Sequence, residues 1–177
     1  MNNRHAVYPG SFDPAHYGHI DIASRAARVF DDVIVAVYDT PPKKVLFSVE
    51  ERVALLQHAL SDVPNVRVAR YSGLTVDYMR QVGALTMIRG LRVFSDFELE
   101  FRMALANRRL APEIEVVNFI ADEKHLFISS STVREIASLG GDVSSMVPPE
   151  VALALRAKFN DPNHDGADTN YVVSLQD

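Results

Sequence analysis

The chain has 177 residues, of which 47% are hydrophobic and 23% charged, and its formal net charge is −5. This balance is that of a single folded domain and excludes disorder of the whole chain. No apolar run approaches the roughly 18–20 residues that span a bilayer, and we expect no signal peptide. Cysteine is absent, which excludes disulfides and thiolate chemistry and fits a reducing cytoplasm.

The negative charge is concentrated near the end of the sequence. Residues 160–177 carry four aspartates and no lysine or arginine, which leaves the preceding residues with a net charge of only −1. We therefore predict one folded domain over residues 1–159 and a mobile acidic tail over residues 160–177. The near-neutral domain argues against nucleic acid as a partner, although it leaves room for a local cationic pocket.

Short β-rich runs alternate with helical patterns along the chain. The run 33–38 is apolar at consecutive positions, which is typical of a central parallel strand covered on both faces. The predicted strands are residues 6–8, 33–38, 66–69, 84–88 and 116–120.

Helix starts and ends are marked by capping signals. Ser48 with Glu51, and Ser95 with Glu98, have capping-box spacing, and Gly83 is a typical C-cap. The predicted helices are residues 18–30, 74–82, 131–139 and 149–159, with two more beginning at the capping boxes. This alternation predicts a doubly wound, Rossmann-like α/β domain with a five-stranded parallel sheet and helices on both faces. Such sheets bind ligands at the carboxyl ends of their strands.

The segment after the first predicted strand has the residue types of a phosphate site. Gly10 permits a tight turn and Ser11 offers a hydroxyl, while Gly18 and His19 open the next helix, whose free N–H groups favour an anion. Neither the P-loop nor the G-x-G-x-x-G pattern occurs, so histidines and hydroxyls would have to do this work. The spacing of His16 and His19 also suits two metal ligands, but no third accompanies them. Helix capping by both histidines is the remaining alternative.

Basic and hydroxyl residues follow three other strands. Lys43 comes after the second strand, Arg89 and Arg92 after the fourth, and the serines 129–131 after the fifth. Because these segments meet at one edge of the sheet, their cations and hydroxyls together indicate a polyphosphate ligand. Each signal has an ordinary alternative: Lys43 as a solvated charge, Glu100 as a partner for Arg92, and the serines as helix caps.

Two of these segments resemble the signature motifs of a known superfamily. Residues 11–19, SFDPAHYGH, are similar to the nucleotidyltransferase motif (H/T)-x-G-H, and residues 128–134, ISSSTVR, are similar to its second motif. With further segments, the set resembles bacterial phosphopantetheine adenylyltransferases from about Ala6 to Lys158. Those further segments are residues 8–13, Lys43, residues 89–92 and residues 96–100.

The resemblance implies an activity and a set of site residues. That family makes 3′-dephospho-coenzyme A and pyrophosphate from ATP and 4′-phosphopantetheine, with Mg²⁺, in the penultimate step of coenzyme A synthesis, and its members are typically homohexamers. By position, His19 would stabilise the transition state, with Lys43 and Arg92 as further catalytic cations. Phosphopantetheine would contact Ser11, Lys43, Thr75 and Arg89. ATP would contact Ser11, Phe12, His19, Gly90, Leu91, Arg92, Glu100, His125, Leu126, Phe127, Ile128, Ser129, Ser130 and Ser131.

The chemistry implied is an in-line displacement without a covalent intermediate. A phosphate oxygen of phosphopantetheine would attack the α-phosphorus of ATP, and an anion of this kind needs no general base. Mg²⁺ would be held by phosphate oxygens and water rather than by protein side chains. Two alternatives are an adenylyltransferase acting on nicotinamide mononucleotide, which the segment 89–92 disfavours, and a nucleotide sensor without turnover.

Overall fold

The computed structural model describes residues 4–42 and 44–160. Its strands are β1 (His5–Gly10), β2 (Asp32–Tyr38), β3 (Val66–Tyr71), β4 (Thr86–Leu91) and β5 (Glu115–Ile120). Its α-helices are α1 (Tyr17–Ala26), α2 (Val49–Ala59), α3 (Thr75–Val82), α4 (Phe94–Leu110), α5 (Ser130–Ser138) and α6 (Pro149–Asn160), and a 3₁₀ turn covers Glu123–His125.

All five strands are parallel and lie in the order β3-β2-β1-β4-β5. The predicted doubly wound sheet is therefore confirmed. The strand order reverses between β1 and β4, and there the ladder is short, because only Ala6 and Val7 of β1 pair with β4. Both strands continue past this ladder, so their carboxyl ends separate and open a crevice at the switch point.

Helices cover both faces of the sheet, as predicted. Alternate residues of β2 face opposite sides: Val33, Val35 and Val37 pack with α1 and α2 residues, whereas Ile34 and Ala36 pack with α3 residues. A third apolar cluster joins α5 and α6 to Phe47, ahead of α2. The site is thus formed at the edge of a sheet that packs against helices on both faces.

Some of the predicted helix boundaries are confirmed, and others differ from the structure by a few residues. The capping box of α2 is confirmed, with Ser48 N–H donating to Glu51 at 2.7 Å and Glu51 N–H to Ser48 at 3.2 Å. Gly83 ends α3 with a φ of 70°. The first helix ends at Ala26 rather than at residue 30.

The predicted capping box at Ser95 is wrong. Helix α4 begins at Phe94, with Val93 as an N-cap that makes no side-chain cap, and Glu98 instead pairs with Arg102 one turn later. The fourth strand is also placed later than predicted, so Arg89 belongs to the end of β4 rather than to the loop after it.

The last helix ends at Asn160, one residue beyond the predicted domain boundary. The rest of the predicted acidic tail, residues 161–177, lies outside the described residues. Among the helices that the structure describes, none has the length and hydropathy needed to span a membrane.

Candidate active site

A cleft of about 510 Å³ occupies the crevice between the ends of β1 and β4. The N-termini of α1 and α5 point to the same edge, so main-chain N–H groups face this region along with basic side chains. Most of the predicted site residues line this one cleft. They are Ser11, Phe12, His19, Arg89, Gly90, Arg92, Glu100, Ser129, Ser130 and Ser131.

The turn after β1 is shaped by Phe12. This residue has a φ of 49°, in the left-handed region, and its ring is buried against Tyr8 and His19 at centroid distances of 5.4 and 5.0 Å. A Cβ on Gly10 would lie 2.9 Å from the Phe12 ring, so glycine is required at that position. The Phe12 side chain thus belongs to the core, and a nucleotide would reach only its main chain.

Asp13 fixes the same turn from within the protein. Its side chain is fully buried and accepts the N–H groups of Leu46 and Phe47 at 2.8 and 2.9 Å. Arg134 of α5, which belongs to the second motif, pairs through Nη1 with Oδ2 of this carboxylate at 3.2 Å. The two motifs that resemble the superfamily signature are therefore joined by one buried charge pair.

His19 is held in a defined orientation at the start of α1. Its Nδ1 accepts the main-chain N–H of His16 at 3.3 Å, so a neutral ring carries its proton on Nε2. The capping alternative is thus correct for His19, which also lines the cleft. A ring with this tautomer can donate a hydrogen bond to a phosphoryl oxygen.

His16 supports His19 by stacking. The two rings lie 3.6 Å apart with an interplanar angle of 23°. Burial, together with the positive charge of Arg92 and the neighbouring His125, lowers the pKa of His16 to about 3. His16 is therefore neutral at physiological pH. Within residues 4–42 and 44–160, no group of three or more His, Asp or Glu side chains could hold a metal ion.

Each arginine of the segment 89–92 is held by a carboxylate. Arg89 donates to Glu100 through two bonds of 2.7 and 2.5 Å, and Arg92 pairs with Asp96 at 3.0 Å. The alternative that Glu100 pairs with Arg92 is therefore wrong. Although burial opposes it, the bond to Glu100 raises the pKa of Arg89. Both guanidinium groups are fixed in place before any ligand arrives.

The three serines at the start of α5 make different hydrogen bonds. Ser129 is the N-cap and accepts the N–H of Thr132 at 3.0 Å, as the capping alternative expects. Ser130 donates to the carbonyl oxygen of Pro14 at 2.8 Å, which ties α5 to the turn after β1. Ser131 lies 3.0 Å from Ser129 through their hydroxyl oxygens. All three line the cleft, so capping and ligand contact are compatible.

A smaller pocket of about 180 Å³ adjoins the cleft. Ser11, Arg89 and Glu100 line both cavities, so they form the partition between them. The far wall is aromatic and apolar, and there the Tyr71 hydroxyl lies 2.9 Å from that of Thr75. The smaller pocket thus contains three of the four positions that the resemblance implies for phosphopantetheine.

Comparisons with known proteins agree with this geometry. Residues 7–136 match a family model described as cytidylyltransferase-like. A phosphopantetheine adenylyltransferase of Roseiflexus sp. (strain RS-1) is 58% identical over 154 residues, covering 87% of this chain and 96% of that relative. The chain belongs to the phosphopantetheine adenylyltransferase family. This membership makes it a nucleotidyltransferase.

Other relatives extend the same result. A phosphopantetheine adenylyltransferase of Dictyoglomus thermophilum is 53% identical and covers 87% of this chain and 94% of the relative. A solved structure from Vibrio parahaemolyticus, described as a nicotinate-nucleotide adenylyltransferase, has a TM-score of 0.66 at 20% identity, covering 87% of this chain and 99% of that chain. At this identity the structural match concerns the fold alone.

Some positions implied by the family resemblance do not line either cavity. The Ile128 side chain is fully buried among α5 and α6 residues, although its carbonyl oxygen accepts Arg92 at 2.9 Å. The His125 ring stacks near Tyr17, with centroids 6.3 Å apart. Lys43 lies outside the described residues. The positions that line neither cavity are Leu91, His125, Leu126, Phe127 and Ile128.

The sequence analysis missed one buried charge beside the site. Arg52 of α2 is 1% exposed and is the largest fully buried side chain in the described chain. In the sequence, Arg52 stands between two glutamates and an apolar run, as a surface residue of a helix ordinarily does. No local pattern therefore indicates that it is buried. Only the approach of three separate chain segments creates its environment.

Proposed function

We propose that the protein transfers the adenylyl group of ATP to 4′-phosphopantetheine, giving 3′-dephospho-coenzyme A and pyrophosphate. The observation that carries this proposal is the pair of adjoining cavities. One is lined by arginines, histidine and serine hydroxyls, and the other is largely aromatic and apolar. A polyphosphate suits the first and a long pantetheine arm suits the second, with the reacting phosphates at the partition between them.

The reaction would proceed by in-line displacement. A phosphate oxygen of phosphopantetheine forms a bond to the α-phosphorus of ATP, while the bond from that phosphorus to the β-phosphate oxygen breaks and pyrophosphate leaves. The nucleophile is already an anion, so no proton has to be removed. Catalysis then consists of placing two anions in line and stabilising the charge that develops on the phosphoryl oxygens.

His19 and the arginines are the groups suited to that stabilisation. The proton on Nε2 of His19 would be donated to a phosphoryl oxygen in the transition state, and the stack with His16 limits the ring's rotation. Arg92, held by Asp96, and Arg89, held by Glu100, would neutralise charge without having to reorganise. Lys43 would contribute a further positive charge by its place in the family motif.

The ATP and phosphopantetheine contacts follow from the two cavities. ATP would bind in the larger cleft, between the turn after β1 and the serines of α5. Phosphopantetheine would extend into the smaller pocket past Ser11, Arg89 and Thr75. At Phe12, whose side chain is buried, ATP would be contacted through the main chain.

Magnesium would enter with the nucleotide. The carboxylates that line the cleft, Asp96 and Glu100, are each paired with an arginine, so the donor set suits phosphate oxygens better than a bare cation. The metal would then be held by phosphates and water. When bound, Mg²⁺ supplies neutralisation of phosphate charge.

The exposed surface of helix α4 bears on self-association. Helix α4 exposes a continuous apolar surface, of which Phe94 is 96% exposed, Phe97 55% and Phe101 54%. A surface of this kind marks a contact with another protein surface, and we propose that it joins copies of this chain in a homohexamer, the number six being that of the family. We also propose a cytoplasmic location, because the proposed reaction consumes ATP in a biosynthetic step.

The test is pyrophosphate release from ATP and Mg²⁺ with two separate acceptors. Release is expected with 4′-phosphopantetheine and not with nicotinamide mononucleotide. Release with the mononucleotide alone would transfer the assignment to the other adenylyltransferase class. A folded sample that binds ATP and releases no pyrophosphate with either acceptor would indicate a nucleotide sensor and overturn the proposal.

A further inference from the structure

Arg52 occupies a place where the sheet ladder stops. The last paired residues of β1 and β2 are Gly10 and Val37. Beyond them, β1 turns away at Ser11, while β2 continues to Tyr38. The next main-chain carbonyl oxygens on each strand have no ladder partner in the other strand, so some other donor must satisfy them.

The guanidinium of Arg52 supplies that donor. Its Nη1 donates to the carbonyl oxygens of Ser11 and Tyr38, at 2.7 and 2.8 Å. Its Nη2 donates to Asp39 at 3.1 Å and its Nε to Phe47 at 3.2 Å. One planar group thus holds the ends of β1 and β2 together with the start of α2.

The partners of Arg52 are unusual for a buried charge. All its hydrogen bonds within the described part of the chain go to main-chain carbonyl oxygens, whereas buried arginines are ordinarily paired with a carboxylate. Burial lowers the pKa of Arg52 from its ordinary value. The charges of Asp13, Asp39 and Glu50 act in the opposite direction, and the hydrogen bonds of the buried guanidinium fix main-chain positions.

Two of those positions form walls of the proposed acceptor pocket. Ser11 and Tyr38 both line the smaller pocket, and Ser11 also lines the partition with the larger cleft. Of these two positions only Ser11 also lines the larger cleft, whose other walls come mainly from α1, β4 and α5, and no hydrogen bond of Arg52 within the described chain reaches those elements. Movement at Arg52 would therefore distort the smaller pocket more than the larger one.

We propose that Arg52 is a positioning residue that sets the binding of the phosphopantetheine acceptor by fixing Ser11 and Tyr38. The inference rests on the proposed function, since it assigns the smaller pocket to the acceptor. Arg52 acts through main-chain geometry and touches neither substrate. Lysine keeps the charge but lacks the planar fork that reaches carbonyl groups in several directions, so Arg52→Lys separates geometry from charge.

The experiment compares Arg52→Lys and Arg52→Met with wild type. The matched control is Arg156→Lys, since Arg156 lies on α6 with its side chain 66% exposed. Pyrophosphate release gives kcat and the KM for each substrate, and circular dichroism with thermal unfolding reports the folded state. We expect folded Arg52→Lys to raise the KM for 4′-phosphopantetheine about tenfold or more, with the KM for ATP changed by less than about threefold.

The other outcomes are decisive. Unchanged KM values in folded Arg52→Lys, or equal rises for both substrates, would overturn the positioning role. Loss of the folded state in both variants would make Arg52 a requirement for folding alone and would also overturn it. Wild-type protein without activity on 4′-phosphopantetheine would instead overturn the proposed function, whereas active wild type with an unaffected lysine variant would overturn this inference alone.

Discussion

The turn after β1 and helix α4 use similar residues in opposite ways. In the turn, Phe12, Asp13 and His16 are at most 4% exposed, and each is packed or bonded by neighbours from other elements. In α4, which has 17 residues, the one buried residue is Glu100. Its aromatic side chains stack on each other, with the Phe97 and Phe101 centroids 6.0 Å apart, yet both remain more than half exposed.

The packing of the turn after β1 is complete within one chain, whereas the packing of helix α4 is not. The turn is packed and hydrogen-bonded by residues of the same chain, with Nδ1 of His16 the one buried polar side-chain atom of this turn that has no hydrogen-bond partner among the described residues. Its geometry should therefore survive in an isolated subunit. Helix α4 leaves its apolar residues exposed in the single chain, and the proposed self-association would cover them. Four predictions test this contrast, from the largest expected effect to the smallest.

Asp13→Ala should be the most damaging to stability. It leaves Arg134 without its carboxylate and two N–H groups without an acceptor, and breaking a buried pair of this kind costs about 3–5 kcal/mol in the free energy of unfolding. Urea unfolding monitored by circular dichroism measures the loss. Asp31→Ala is the matched control, because the pair of Asp31 with Arg4 is exposed, and it should change stability far less. Equal losses in the two variants would contradict the buried role of Asp13.

His19→Ala should be the most damaging to catalysis. Loss of a donor that acts in the transition state lowers kcat by roughly 100- to 1000-fold, which is about 2.7–4 kcal/mol. The fold should persist, since His19 is not part of the buried charge pair. His58→Ala, which removes an exposed histidine of α2, is the control and should keep wild-type kcat. An unchanged kcat in folded His19→Ala would refute the assigned role.

His16→Gln should change how stability depends on pH. The pKa of His16 is about 3 in the folded chain against an ordinary value of 6.5 for an unfolded chain, so the unfolded chain binds more protons between these values. The free energy of unfolding therefore falls as pH drops from 6.5 toward 3, by about 1.4 kcal/mol per pH unit. The variant should lose this part of the slope. Parallel curves for variant and wild type, in urea unfolding between pH 4 and 7, would contradict a neutral buried His16.

Phe94→Ser should have the smallest effect within one chain. An exposed residue changes the stability of its own subunit by within about 0.5 kcal/mol, but its removal from an interface weakens association, by more than about 1 kcal/mol at a central position. Sedimentation velocity should show smaller species at low protein concentration. Leu153→Ser, on an exposed position of α6, is the control. A wild-type chain that sediments as a monomer would contradict the proposed interface.

The sequence alone predicted much of the fold, because its signals are local. The apolar run in β2, the capping box at Ser48 and the left-handed Gly83 are each read from a few neighbouring residues, and all three are confirmed. The failures have a local cause as well. Ser95 has the spacing of a cap, but the chain is already helical at Phe94, so its hydroxyl has no cap to make.

Part of the candidate site was predictable for the same reason. The residues that follow β1, β4 and β5 carry their basic and hydroxyl groups in short segments, and parallel topology brings those segments to one edge. The partners of these groups were not predictable. Glu100 lies two turns into α4, and which arginine it meets depends on how α4 crosses the end of β4.

By itself, the sequence determined the strand and helix alternation, the doubly wound sheet and the chemistry of the cleft, because hydrophobic period, turn residues and motif residues are properties of adjacent positions. Tertiary structure alone decided that Glu100 holds Arg89, that His16 is buried and neutral, and that Arg52 joins two strand ends. These depend on contacts between residues distant in the chain. Such contacts leave no periodic pattern, since burial and electrostatic environment arise only when separate segments pack together.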